Sequence, residues 1–368
     1  MKLRILGLLC LVFALGSLVV ACGDSDSSDG DKSGDTTTAV KLKNPVDIDV
    51  GLDKPVTVGP EVKIALFSAS GTDWLTALNS STEDAAKAAG YEITTFDSAL
   101  DPTKQLNQME NALQSGEYNV WMVQPFDSQL LCDITSKQAP AKNIAVISIS
   151  NPVCDRALKP AGDDLWQPGT MAVVNGENSV TYKAAWLKEI FNRLTADGGD
   201  KKVIMLTGPK EIGNTQTFEG GLQQVTDEGD ADGIDVVASV RSDFTTPTSL
   251  TMMEDALQAN PDVDAVISVY SDMTRGAIAA LTSAGMDDVK VYDMGASKYS
   301  VDQIKAGKME MTVPYAPAES GTASVELLTD VLGGDQPKRF VDVFEPDNSV
   351  RDPLFIDSEN ADSYQPTY

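Results

Sequence analysis

The residues able to do chemistry in this chain are few in kind. Its 368 residues include no histidine, which removes imidazole acid–base catalysis, Ser-His-Asp triads and the common zinc sites. Neither a glycine-rich nucleotide loop nor a Gly-x-Ser-x-Gly elbow occurs. Carboxylate, lysine and thiol chemistry remain, and no spacing among them marks a catalytic group. The segment DEGDADGID at 227–235 sets Asp230, Asp232 and Asp235 around Gly233 in the manner of a calcium loop. The place of the bidentate ligand holds Ser239, however, so the segment reads as a solvated turn. The chain is therefore expected to be no enzyme and to hold no metal or cofactor.

The four cysteines carry more information. Met1, Lys2 and Arg4 form a basic head before an apolar run at 5–15 and the stretch GSLVVAC ending at Cys22, the plan of an export signal over 1–21. Val19-Val20-Ala21-Cys22 resembles the bacterial lipobox, whose cysteine carries diacylglycerol, and two acyl chains suffice for stable anchoring. No basic stop-transfer cluster follows. Residues 23–38 lack aromatic and large aliphatic side chains and read as a flexible tether. Pro45, Pro55 and Pro60 make 40–60 an extended arm, so 22–60 is expected to be a lipid-anchored tether and arm. Export leads to an oxidising compartment. Cys10 leaves with the signal and Cys22 is acylated, so Cys132 and Cys154 are expected to form a disulfide; two separately buried thiols are the alternative.

The part from about Glu61 onward is long enough for two cores. Against 28 basic residues stand 55 acidic ones, a formal charge of −27, which disfavours nucleic acid and anionic lipid as partners. A salty habitat would also account for the excess, since salt screens self-repulsion.

The elements that must position any site alternate regularly. VKIALFS at 62–68 is an apolar strand, followed by a small-residue turn and a helix from Trp74 to Ala89. YEITTFDS, VWMVQP and IAVISIS are further strands, with helices at 101–115 and 128–139 between them. After a helix at 180–194 the alternation begins again, with strands at 202–207, 234–240 and 265–270 and then VKVYDM and MEMTVPY. Such alternation predicts parallel sheets covered by helices, each delivering its strand ends to one edge, where ligands sit. The last helix, 318–332, is closed by Gly333-Gly334, and 339–344 offers one more strand.

The order of these elements resembles the type 1 periplasmic substrate-binding proteins of the ribose and galactose group, which serve carbohydrate uptake transporters. DWLTALNSSTEDAAKAAGYEI, DPTKQLNQMENALQSGEYNVWMVQPFDS, FEGGLQQV, PDVDAVISVYSDMTRGAIAALTSAG and AGKMEMTVPY carry the resemblance, which spans roughly 62–344. It implies an α/β fold of two Rossmann-like lobes with parallel sheets and a three-stranded hinge crossover. The N-terminal lobe is expected to comprise 61–174 plus 315–334, and the C-terminal lobe 175–314 plus 335–360.

The resemblance also implies ligand positions. Trp74, with Leu75, stands where the turn after the first strand supplies aromatic groups, and Gln124, beside Phe126 and Asp127, where the third supplies a polar side chain. An Asp-Arg pair is replaced by Ser150 and Asn151, and a second arginine by Phe218. Tyr270 stands for an asparagine, Asp293 or Met294 for an aspartate, and Tyr315 for a glutamine at the return hinge. The loss of both arginines leaves sugar hydroxyls without their usual partners, while the aromatic substitutions favour a flatter or less polar ligand. Within the long loop 154–169, Arg156 and Trp166 are candidates to enter the pocket in their place.

The resulting expectation is a monomeric, lipid-anchored, extracytoplasmic binding component of an ABC importer. It would hand a small ligand, by family a sugar or sugar-like compound, to a permease and ATPase complex. A sensor lipoprotein presenting its closed form to a receptor, and a binder of a nucleoside or small aromatic solute, are the alternatives.

Overall fold

The computed structural model describes residues 42–344 and 354–368; the expected export signal 1–21, the expected acylation site Cys22 and the expected tether to residue 41 lie outside them. Chain order begins with β1 (Val46–Ile48), β2 (Val56–Val58), β3 (Lys63–Ser68), α1 (Asp73–Ala88), β4 (Glu92–Asp97), α2 (Pro102–Ser115) and β5 (Val120–Val123). Then come α3 (Ala139–Ala141), β6 (Ala145–Ile149), β7 (Ala172–Asn175), α4 (Val180–Thr195), β8 (Lys201–Thr207), α5 (Gly213–Asp227) and β9 (Ile234–Arg241). The remainder is α6 (Thr246–Ala259), β10 (Ala265–Ser268), α7 (Ser271–Ala284), β11 (Lys290–Gly295), α8 (Lys298–Lys305), β12 (Met311–Pro314), α9 (Pro317–Gly333), β13 (Phe340–Asp342) and β14 (Ile356–Asp357).

Two six-stranded sheets result, in the orders β13-β7-β6-β5-β3-β4 and β14-β12-β11-β10-β8-β9. Every pairing in them is parallel except β12 with β14. Strand periodicity explains how each sheet takes helices on both faces. In β3, Ile64 and Leu66 join one buried cluster while Ala65 and Phe67 join another; in β5, Val120 and Met122 part from Trp121 and Val123 in the same way. Local chemistry sets the helix starts: Thr72 accepts from the Leu75 N–H at the head of α1, and Asp101 caps α2 ahead of Pro102. Gly321 lets α9 lie close on α1, since a Cβ there would stand 2.2 Å from Ser81 Oγ.

Three expectations need correction. The helix expected at 128–139 runs from 132 to 141 and is π-helical over Ile134–Gln138 before the short α3; Thr135 and Ser136 hydroxyls bond back to the Leu131 and Cys132 carbonyls and compete with the regular ladder. The arm is a hairpin, β1 against β2, whose Ile48, Val56 and Val58 are buried in the main apolar cluster. The segment 335–360, assigned whole to the second lobe, is divided: β13 pairs with β7 in the first sheet and β14 with β12 in the second. Thus the chain passes between sheets after β7, after β12 and between β13 and β14.

Candidate functional site

Parallel strands that all run the same way bring their C-terminal ends, and the loops after them, to one edge of each sheet. Between the two edges lies a cavity of about 70 Å³, at the place where open parallel sheets hold their ligands. The first lobe contributes Thr72, Trp74 and Leu75 after β3, Leu100 after β4, Gln124 and Phe126 after β5, and Ser150 and Asn151 after β6. Glu177 and Asn178 follow β7 at the crossover, and Tyr315 follows β12 at the return. The second lobe adds Ile212 and Asn214 after β8, Phe244 after β9 and Tyr270 after β10.

Of the positions expected from sequence, Trp74, Gln124, Phe126, Asn151, Tyr270 and Tyr315 are on this wall. Asp127 is not: its Oδ1 accepts from the Gln129 and Leu130 N–H groups and caps the following turn. Phe218 sits one helical turn beyond Asn214 on α5 and packs against Trp186, ring centroids 6.0 Å apart, in the core. Asp293 lies inside β11 rather than in the loop beyond it. There it is fully buried, accepting from the Ser300 hydroxyl at 2.7 Å, and burial raises its carboxyl to about 6 against the hydroxyls of Thr312, Ser300 and Thr274. Arg156 donates to Gln167 Oε1. Trp166 donates to the Thr170 carbonyl and carries the Arg339 guanidinium on its ring at 4.3 Å, so the long loop braces the hairpin instead of entering the cavity. Arg339 also binds Asp49 through its carbonyl and carboxylate, both at 2.8 Å.

Cys132 and Cys154 are bonded, with Cα atoms 4.6 Å apart. The bond joins the loop after β5 to the loop after β6, the two that present Gln124, Phe126, Ser150 and Asn151. Asp230 of the calcium-like segment is engaged by Lys188 at 2.6 Å.

Glu177, Asn178 and Asn214 escaped sequence reasoning. Asn175 organises the first two: its Oδ1 accepts from the backbone N–H groups of Glu177 and Asn178, and its Nδ2 donates to the Asn178 carbonyl. The run Asn-Gly-Glu-Asn directly after an apolar strand was the available signal. Burial pushes the Glu177 carboxyl up, with Lys183 opposing and Asp342 adding to the shift. Burial likewise pushes the Lys183 amine down; its Nζ donates to Tyr315 Oη at 2.9 Å, behind the wall.

Tyr315 Oη donates to the Val269 carbonyl and accepts from Lys183 and Asn214, so that residue offers the cavity only its ring. Tyr270 reaches across the cleft: its hydroxyl meets the Thr72 side chain and the Trp74 backbone N–H, and burial raises its ionisation well above the phenol range. Beside it, burial, with Asp73 nearby, also raises Asp272.

Five polar atoms of this wall are buried without a partner among the described residues: Trp74 Nε1, Gln124 Oε1, Glu177 Oε2, Asn178 Oδ1 and Asn214 Oδ1. An unpaired buried polar atom costs about 1–3 kcal/mol, and the side chains that carry these five line one cavity.

The family described as periplasmic binding protein domain matches residues 64–336. The ribose import binding protein of Bacillus subtilis is 25% identical over 291 residues, 79% of this chain and 86% of its own length. Among solved structures, an ABC transporter solute binding protein from Mycobacterium smegmatis with bound glycerol superposes with TM-score 0.69 at 24% identity, covering 83% of this chain and 98% of its own. The Caulobacter myo-inositol binding protein bound to myo-inositol gives 0.68 at 19% identity, covering 82% and 94%.

Proposed function

Because the chain belongs to the periplasmic binding protein domain family, we propose that it is the extracytoplasmic solute-binding component of an ABC importer and captures a small polyhydroxylated solute in the cleft. The observation that carries this reading is the set of five unpaired polar atoms, interleaved with the rings of Trp74, Phe126, Phe244 and Tyr270 around one space. Hydroxyls would complete the polar atoms while the rings cover the carbon skeleton.

Capture is reversible and non-covalent. A solute touching both walls makes its full set of contacts only when the lobes are together, so it shifts the population toward the closed form that a permease complex reads. The curated relative is a binding protein of an import system rather than an enzyme. Acylation at Cys22 would hold the protein, as a monomer, at the outer face of the membrane.

Native mass spectrometry of protein purified without refolding, followed by a thermal-shift screen of sugars and cyclic polyols, tests the reading. A carried small molecule and a rise in melting temperature are expected, since solute at 100 times its Kd adds about 2.7 kcal/mol to the folded state. Failure of every sugar and polyol to shift the transition, or chemical conversion of the bound compound, overturns it.

A further inference from the structure

The orientation of the three asparagine amides on the cavity wall, Asn151, Asn178 and Asn214, is fixed by carbonyls at the far ends of their hydrogen-bond chains. Asn151 Nδ2 donates to the Pro125 carbonyl, which leaves Asn151 Oδ1 to accept from Asn178 Nδ2. That same Nδ2 also reaches Ser150 Oγ, and the Ser150 hydroxyl turns to Glu177 Oε1 at 3.4 Å. Asn178 Oδ1 is thereby left as an acceptor. On the other side the Tyr315 hydroxyl gives its proton to the Val269 carbonyl, so Asn214 must present Nδ2 to it and keep Oδ1 free.

The unpaired set therefore holds one fixed donor, the Trp74 indole N–H, and two fixed acceptors, Asn178 Oδ1 and Asn214 Oδ1; Glu177 Oε2 is a third acceptor when its carboxyl is ionised, and the Gln124 amide can present either end. Glu177 is 1% exposed, and among the described residues no lysine or arginine lines the cavity. Lys183 lies behind Tyr315, donating to its hydroxyl at 2.9 Å; its charge acts on Glu177, but no salt-bridge contact joins the two among the described residues. A buried carboxylate oxygen without a partner is costly and is best met by a charge-assisted donor. A hydroxyl offers one proton; an ammonium offers three and a charge, which the rings of Trp74 and Tyr270 also favour.

On the reading of the cleft as a solute site, we propose that the preferred solute is a protonated amine on a polyhydroxylated ring, an aminosugar or amino-substituted cyclic polyol, with its ammonium against Glu177. At the cleft mouth stand two carboxyls, Asp73 and Asp272, and one guanidinium, Arg275, 3.8 Å from Asp272.

Isothermal titration of the purified chain at neutral pH with matched sets tests this. Suitable sets are D-glucose, D-glucosamine and N-acetyl-D-glucosamine, and myo-inositol beside amino-substituted inositols. Within at least one set the amine binds about ten-fold or more tightly than its neutral counterparts, and N-acetylation abolishes the gain in the unmodified protein. In Glu177→Gln, checked for folding by its circular dichroism spectrum, the amine falls to the affinity of the neutral compound. Neutral and acetylated members binding as tightly as the amine overturn the inference and leave the solute-binding reading standing. So does an amine affinity unchanged in Glu177→Gln. Absence of binding by every amine and every neutral polyol overturns both.

Discussion

The two walls of the cleft come from the same strand-and-helix repeat, yet they are braced differently. In the first lobe the loops after β5 and β6 are joined covalently by Cys132 and Cys154. In the second lobe the equivalent loops, after β10 and β11, are tied by hydrogen bonds: Ser300 Oγ bridges to Ser271 Oγ and to Asp293 Oδ2. Their backbones nonetheless match. Leu100 and Phe244, each in the loop after its lobe's outer strand, have φ of 63° and 68°, and Ser150 and Ala296, each after the next-to-hinge strand, have 63° and 45°. Left-handed backbone is uncommon for such side chains, and its recurrence at equivalent places shows that rim geometry is shared while bracing is not. Four of the five unpaired polar atoms belong to the first lobe or its crossover, and one, on Asn214, to the second. On the proposed reading, the stapled wall, with most of the unpaired polar atoms, is the one that grips, and the hydrogen-bonded wall is the one that covers.

Removing the staple should have the largest effect. Replacing Cys132 and Cys154 together with serine is expected to cost about 3 kcal/mol of stability in denaturant unfolding, from the loop the bond closes, together with a loss of solute affinity; unchanged affinity would show that the staple does not set the gripping wall. Asp293→Asn probes the other brace. Its carboxyl is held at about 6, above the roughly 3.9 of an unfolded chain. Its favourable contribution is therefore full below about pH 4 and disappears as pH rises through 6. The variant should gain up to about 3 kcal/mol over the parent at pH 7.5 and little at pH 4, as read from paired melting curves. A constant difference across that range would remove the claim that this carboxyl is strained.

Wall truncations come next. Trp74→Ala should weaken solute binding by about 2 kcal/mol or more and Phe244→Ala by about 1 kcal/mol, measured by titration calorimetry; the reverse order would break the contrast between gripping and covering walls. The smallest effect is expected of Tyr270→Phe, which removes the hydroxyl contact across the cleft and should lower apparent affinity by about 0.5 kcal/mol. Small-angle scattering without solute should show the variant more open than the parent.

Much of this architecture was legible in the residues. Apolar runs such as VWMV and AVISI can only be interior parallel strands, and Trp74, Gln124 and Tyr270 stand just beyond such runs, so the loop edge claims them whatever the details of packing. Cys132 and Cys154, left over once the expected signal and acylation site are set aside, likewise had one obvious pairing. Less was legible at helix turns and strand ends. Periodicity says which positions share a face, but not where along an element the cleft begins. Hence Phe218 falls one turn too deep and Asp293 just inside its strand, whereas Asn214 stands at the mouth.

By itself, then, the sequence determined the strand-and-helix order, the twofold repetition and the loops that must meet, because hydrophobic period and turn chemistry are local properties. The tertiary structure alone decided that Glu177, in a crossover with no periodic pattern, faces the cavity, and that 340–342 completes the first sheet. Both depend on contacts between segments far apart in the chain, whose geometry is fixed only when the lobes have formed.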